Sequence, residues 1–148
     1  MRLSAKSHYA MHAMLHLAQH HNKGPQPLSR IITQGQPREY TEQLLGALRR
    51  SGLIGSVRGT KGGYLLAKNP EDITVAQIIE SVEGPLTLSG CVIDADSCEN
   101  SGVCALKGTW EHLTRGIEAV MNTITLKDML ADPSLIPNTK KRSEERRV

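Results

Sequence analysis

Between Leu28 and Lys68 the chain is cut into short pieces by turn-forming residues, and this punctuation restricts the fold more than any other feature. Leu28–Thr33 reads as a short helix, and Gln34-Gly35-Gln36-Pro37 as a turn. Arg38–Arg50 is a second helix with Tyr40, Leu44, Leu45 and Leu48 on its inner face, ended by Gly52. Two short helices joined by a tight glycine-containing turn form a helix-turn-helix. Leu53–Arg58 and Tyr64–Lys68 then read as strands. The link Gly59-Thr60-Lys61-Gly62-Gly63 permits the positive φ angles of a hairpin. A hairpin straight after a helix-turn-helix predicts a winged helix: mostly α, with a small β-hairpin wing.

The remaining sequence supplies helices around this module. From Ser4 to about His20, Tyr9, Ala10, Ala13, Met14 and Leu17 recur on one face of period 3.6. Asp72 or Thr74 to Glu83 is a further helix, opened by the capping box Thr74-Val-Ala-Gln77 and closed by Gly84-Pro85. About Val103–Ile124 is a long helix. Its apolar residues Leu106, Trp110, Leu113, Ile117, Val120 and Ile124 form a narrow seam of period 3.5, the pattern by which helices pair along their length. Few other helices are left to cover that seam, so self-association into a homodimer is expected. A short helix, Leu126–Leu130, follows. The expected division is a winged helix-turn-helix over 1–84, a cysteine loop over 85–104, a dimerisation helix with a short C-terminal helix over 105–131, and a charged, disordered tail over 132–148.

Charge is divided along the chain. Residues 23–68 hold eight Lys/Arg against two Glu, whereas residues 69–139 hold three Lys/Arg against eleven Asp/Glu. The first segment suits a polyanion and the second does not. On the second helix of the helix-turn-helix, Arg38, Thr41, Glu42, Gly46, Arg49 and Arg50 are read as falling away from the apolar stripe. Arg can pair bidentately with guanine in the major groove, and Glu can accept from cytosine N4. Arg58 and Lys61 flank the glycine turn of the hairpin, a basic tip suited to phosphates or the minor groove. Any one of these residues is more simply a solvated charge. Together with the helix-turn-helix and wing, Arg38, Thr41, Glu42, Arg49, Arg58 and Lys61 make an expected surface for double-stranded DNA.

The only cysteines are Cys91, Cys98 and Cys104, all in one Gly/Asp/Asn/Ser-rich stretch. Their number forbids complete disulfide pairing within the chain. Four readings compete: three unrelated thiols, a structural zinc site, a thiol–disulfide switch, and an iron–sulfur cluster held by three thiolates and one weaker ligand. Zinc would ask for four protein ligands, and no His or fourth Cys lies in the loop. The residues alone leave zinc and cluster level. His8, His12, His16 and His20 recur every four residues along the first helix. His112 lies ~12 Å of helical rise beyond Cys104, too far to complete the same site within one chain.

The chain resembles the IscR/NsrR/RirA-type (Rrf-type) family of bacterial winged-helix transcriptional regulators. The resemblance runs from Met1 to about Leu130. It rests on Met1-Arg-Leu-Ser4, Tyr9-Ala10, Tyr40-Thr-Glu-Gln-Leu44, Leu48-Arg-Arg-Ser-Gly-Leu53, Ser56-Val-Arg-Gly59, Gly62-Gly-Tyr-Leu-Leu66, the three cysteines, Trp110 and Ile124-Thr-Leu126. It is most similar to the family's iron–sulfur cluster branch, which controls cluster assembly genes. The resemblance implies a homodimeric repressor or activator whose operator affinity depends on a bound cluster, 2Fe–2S ahead of 4Fe–4S. It implies that Cys91, Cys98 and Cys104 are cluster thiolates, that Glu42 reads base identity and that Arg58 is the wing arginine. Two departures stand out. The first cysteine interval has six intervening residues where the family often has five, and Lys107 stands where the cluster branch has a histidine. The resemblance therefore turns the fourth ligand toward His8, before His12, of the partner chain, as in the nitric-oxide-sensitive relatives.

Nitric oxide or iron sensing is the alternative within the family, and an electron-transfer or redox iron–sulfur protein is the alternative outside it. The latter would need a second cofactor motif or a substrate pocket. The sequence carries neither a Gly-rich nucleotide fingerprint nor a nucleophile–base pair, so an enzyme is not expected. Met1–Ala18 interrupts any apolar run with charged and histidine residues, and no stretch approaches the ~20 apolar residues of a membrane span. A cytoplasmic protein without a membrane role is expected.

Overall fold

The computed structural model describes residues 3–88 and 105–132. The elements run α1 (Ala5–Gln19), α2 (Leu28–Ile31), α3 (Arg38–Arg50), β1 (Ile54–Val57), β2 (Gly63–Leu66), a 3-10 turn (Pro70–Asp72), α4 (Val75–Glu83), α5 (Ala105–Thr123) and α6 (Leu126–Ala131). The fold is mostly helical with one two-stranded antiparallel sheet. It matches the winged helix-turn-helix expected from the sequence. The tail from 133 onward, for which disorder is expected, lies outside the described residues.

Local chemistry accounts for the ends of the key elements. Gly35 adopts φ +84° in the turn before α3. Pro37 directly precedes α3, and its carbonyl accepts the first helical bond from Thr41 N at 3.1 Å. At the other end Gly52 takes φ +79°, with Gly52 N bonded to Arg49 O at 3.0 Å and Leu53 N to Leu48 O at 3.1 Å. This pair of bonds is a Schellman motif, which satisfies two carbonyls that the helix end would otherwise leave open. α4 opens with the Thr74–Gln77 capping box, bonded in both directions. A second box, Thr125 with Asp128, opens α6.

One core joins nearly all elements. Ala10, Met14 and Leu17 of α1 pack with Ile31, Leu45, Leu48, Leu53, Ile54, Leu66, Ile73 and Ile78. Burial of this apolar set is the main stabilising term. Leu126 and Met129 of α6 belong to the same core. The chain after α5 therefore returns to the unit formed by residues 1–84, through Val75 N to Ile124 O at 2.9 Å and Leu126 N to Ile73 O at 3.0 Å. Tyr9 meets Tyr40 edge-to-face at 5.7 Å, fixing α1 against α3. The hydroxyls of Ser4 and the buried Ser7 both donate to the Glu83 carboxylate, tying the start of α1 to the end of α4. These bonds, with Lys6 nearby, hold the Glu83 carboxyl below its ordinary pKa against a smaller opposing effect of burial.

The long helix behaves differently. Leu106, Leu113 and Val120 of its apolar seam are 57%, 44% and 60% exposed. Among the described residues nothing covers this side of α5, whereas Trp110, Ile117 and Ile124 are half-buried.

Candidate nucleic-acid interface

α3 is the second helix of the helix-turn-helix. Thr41, Leu44, Leu45 and Leu48 anchor its inner face, and Arg38, Glu39, Glu42 and Gln43 are exposed. Arg38 and Glu42 stand one turn apart, Nε to Oε1 3.3 Å, with exposed side chains. Arg49 and Arg50 lie exposed in the last turn. Arg50 Nη1 lies 3.4 Å from where a Cβ on Gly46 would stand, so this guanidinium folds back along its own helix. Arg49 Nη1 instead donates to Ser56 Oγ on β1 at 3.0 Å.

Thr41 requires a correction. It is expected on the reading surface, but the structure buries it to 1% exposure and its hydroxyl donates to Pro37 O at 3.1 Å. The reason is its position in the helical repeat, three, four and seven residues before Leu44, Leu45 and Leu48. Its small polar character suggested the outside, but its angular place is the core.

The wing begins where the Schellman turn leaves off. Ile54 pairs with Leu66, Gly55 with Leu65, Ser56 with Tyr64 and Val57 with Gly63. Ile54 and Leu66 face the core. Arg58 and Lys61 are exposed near the tip, where Gly59 takes φ +113° and Gly62 N bonds to Gly59 O at 3.0 Å. A Cβ on Gly62 would sit 2.1 Å from Val57 O, so the tip requires glycine there. α3 and the basic hairpin are thus joined directly through Ser51–Leu53. The sequence reading missed Ser56, whose hydroxyl accepts a hydrogen bond from Arg49, and Gln26, which bonds to the wing from outside the hairpin.

Cys91, Cys98 and Cys104 lie outside the described residues. Among the described residues no three or more His, Cys, Asp or Glu side chains gather as a metal site. His8 and His12 are exposed on α1, and His112 on α5. Lys107 is half-buried on the first turn of α5. His16 and His20 stack, ring centroids 4.3 Å apart, and His20 Nδ1 lies 2.8 Å from His16 O. They form a structural pair at the edge of the core. Among the described residues, no helix is long and apolar enough to cross a membrane.

The Rrf2 family, described as an iron-dependent transcriptional regulator, matches residues 3–132. The chain belongs to the Rrf2 family. Its relatives include the transcriptional regulator IscR of Pectobacterium atrosepticum, 38% identical over 137 residues, spanning 92% of this chain and 83% of that protein. IscR of Photobacterium profundum is 39% identical over 133 residues, spanning 89% and 77%. Among solved structures, IscR of T. potens superposes with a TM-score of 0.72 at 38% identity, spanning 96% of both chains. CymR of B. subtilis, described as the global cysteine regulator, gives 0.71 at 32% identity, spanning 88% of this chain and 97% of that one. This Rrf2-family chain is a DNA-binding transcriptional regulator.

Proposed function

We propose that this Rrf2-family regulator binds its operator as a homodimer, and that an iron–sulfur cluster held by Cys91, Cys98 and Cys104 sets its affinity. The observation that carries the reading is positional. All three thiols of the chain fall in the sequence between Glu83, where α4 ends, and Ala105, where α5 begins. The donor set suits the group: three soft thiolates fit a sulfide-bridged iron cluster and leave one position for a weaker ligand. The similarity to IscR regulators supports the same choice. A 2Fe–2S cluster is favoured, with His8 of the partner chain, then His12, as the fourth ligand. When bound, the cluster supplies a redox- and iron-sensitive tie among thiolates.

The chain's own residues do the rest. Leu106, Leu113 and Val120 give α5 an uncovered apolar stripe that a second α5 can bury, which removes them from water. A dyad along this seam carries two α3 helices to two half-sites of double-stranded DNA. Glu42 and Arg38 face base edges; Arg49, Arg58 and Lys61 meet the backbone and minor groove. A cluster held by Cys91, Cys98 and Cys104 would couple iron or redox chemistry to operator affinity. The protein works in the cytoplasm on genes of iron–sulfur cluster assembly.

Anaerobic purification tests the cofactor, with iron and sulfide analysis and visible absorption of the wild type and each Cys→Ala variant. The expected result is a visible chromophore lost in all three variants. A colourless protein with one zinc per chain would defeat the reading. Leu113→Asp, at an exposed position, should convert a dimer to a folded monomer in sedimentation and weaken operator binding. A wild type that is monomeric at micromolar concentration contradicts the dimer.

A further inference from the structure

The three arginines of α3 have three different environments. Arg38 pairs with Glu42, and Arg50 lies back over Gly46. Arg49 alone among them reaches off the helix to a described partner on the wing, Ser56 Oγ at 3.0 Å. Ladder parity explains why it finds that hydroxyl. Residues directly paired in an antiparallel ladder share a face, and alternate pairs share the same face. Ser56 and Tyr64 therefore lie on the side of Ile54 and Leu66, the pair that packs into the core with Leu45 and Leu48. That side of the wing looks toward α3. The hydroxyl of Ser56 stands at its outer, exposed end, where the recognition helix and the wing diverge.

We infer that Ser56 is a positioning residue for Arg49, holding its guanidinium in the cleft between recognition helix and wing for a phosphate of the operator backbone. The inference rests on α3 and the wing facing DNA. A guanidinium has five N–H donors, so a bond to Ser56 leaves a fork free for a phosphate. An exposed arginine otherwise samples many rotamers, and ordering it at the moment of binding weakens association. Ordering it beforehand against a rigid strand removes part of that cost. The hydroxyl is a neutral acceptor, so it aims the guanidinium without cancelling its charge, which a carboxylate at this position would do. A phosphate contact positions the protein without reading sequence. Ser56 therefore contributes to affinity on all sites and not to the choice among them.

The experiment is a double-mutant cycle on the full-length protein with operator and random duplexes, read by fluorescence anisotropy over a range of salt. With Arg49 present, Ser56→Ala should weaken binding about fivefold, within the usual range for directly coupled residues. In the Arg49→Ala background the same change should have no effect. Ser56→Thr should bind as the wild type. Arg49→Ala should lower the salt slope by about 0.9 for each phosphate it no longer neutralises, and Ser56→Ala should lower it in the same direction. An equal loss from Ser56→Ala in both backgrounds overturns the inference, because Ser56 then acts on DNA or on the wing by itself. No loss beside an intact Arg49 overturns it as well. A wild type that binds neither duplex, or binds without salt dependence, counts against the DNA-facing assignment and not against the Arg49–Ser56 coupling.

Discussion

Gln26 and Tyr64 exchange two backbone hydrogen bonds, N to O 2.8 Å in each direction. The residue before Pro27 thereby acts as a one-residue third strand beside β2, which is paired along both of its edges. The approach is so close that a Cβ on Gly63, next to Tyr64 and at φ +154°, would lie 2.2 Å from Gln26 O.

Gly63→Ala should therefore cost on the order of 2 kcal/mol, because backbone and not a movable side chain blocks the new atom. Gly55→Ala on the neighbouring strand meets nothing within 4 Å and should stay within about 0.5 kcal/mol of wild type. Thermal unfolding of the two variants checks this. Equal midpoints would remove the Gln26–Tyr64 tether from the account of the wing.

Neighbouring Thr41 and Glu42 should separate stability from sequence choice. Thr41→Val keeps the shape but loses the buried bond to Pro37 O, at about 1 kcal/mol of stability with unchanged sequence preference. Glu42→Ala removes an exposed pair with Arg38, worth at most about 1 kcal/mol. It should relax discrimination at one base pair by about 1–3 kcal/mol. Denaturation curves and selection of bound sequences report the two effects. Loss of specificity in Thr41→Val with none in Glu42→Ala would reverse the assignment.

The pair explains what could be read in advance. Pro37 and Gly52 mark both ends of α3, so its bounds, Arg38–Arg50, were legible from punctuation alone. The Thr74–Gln77 box was legible for the same reason, since capping is local chemistry. Thr41 was misplaced because residue polarity was weighed above helical position. The Gln26–Tyr64 bonds leave no side-chain trace, because any residue but proline can make them. The Arg49–Ser56 contact depends on ladder parity and on a rotamer, and the sequence contains neither. Local pattern likewise shows that α6 is a helix, but not that Leu126 enters the same core as Met14.

His16 gives the fold a pH dependence. Burial first, then His20 and Arg30, lower its pKa from 6.5, against a raising contribution from the Gln26 side chain. Its Nε2 and the Oε1 of Gln26, a residue only 5% exposed, are both buried and have no hydrogen-bond partner among the described residues. The unfolded chain therefore takes up the proton at higher pH than the native chain. The stabilising contribution of neutral His16 is present above 6.5 and is lost as pH falls below it toward the lower folded value. Melting temperatures of cluster-free protein should fall from pH 7.5 to about 5.5, and His16→Gln should flatten that slope. An unchanged slope in the variant would assign the effect to other groups.

Control of DNA binding by a cluster on Cys91, Cys98 and Cys104 is tested most directly by titrating one operator with one anaerobic preparation, before and after a chelator removes its iron. The account predicts dissociation constants that differ by roughly 5- to 150-fold, the usual range of coupling between two sites. The three Cys→Ala variants should bind like the stripped protein. Loaded and stripped protein binding the operator with the same affinity would contradict the account.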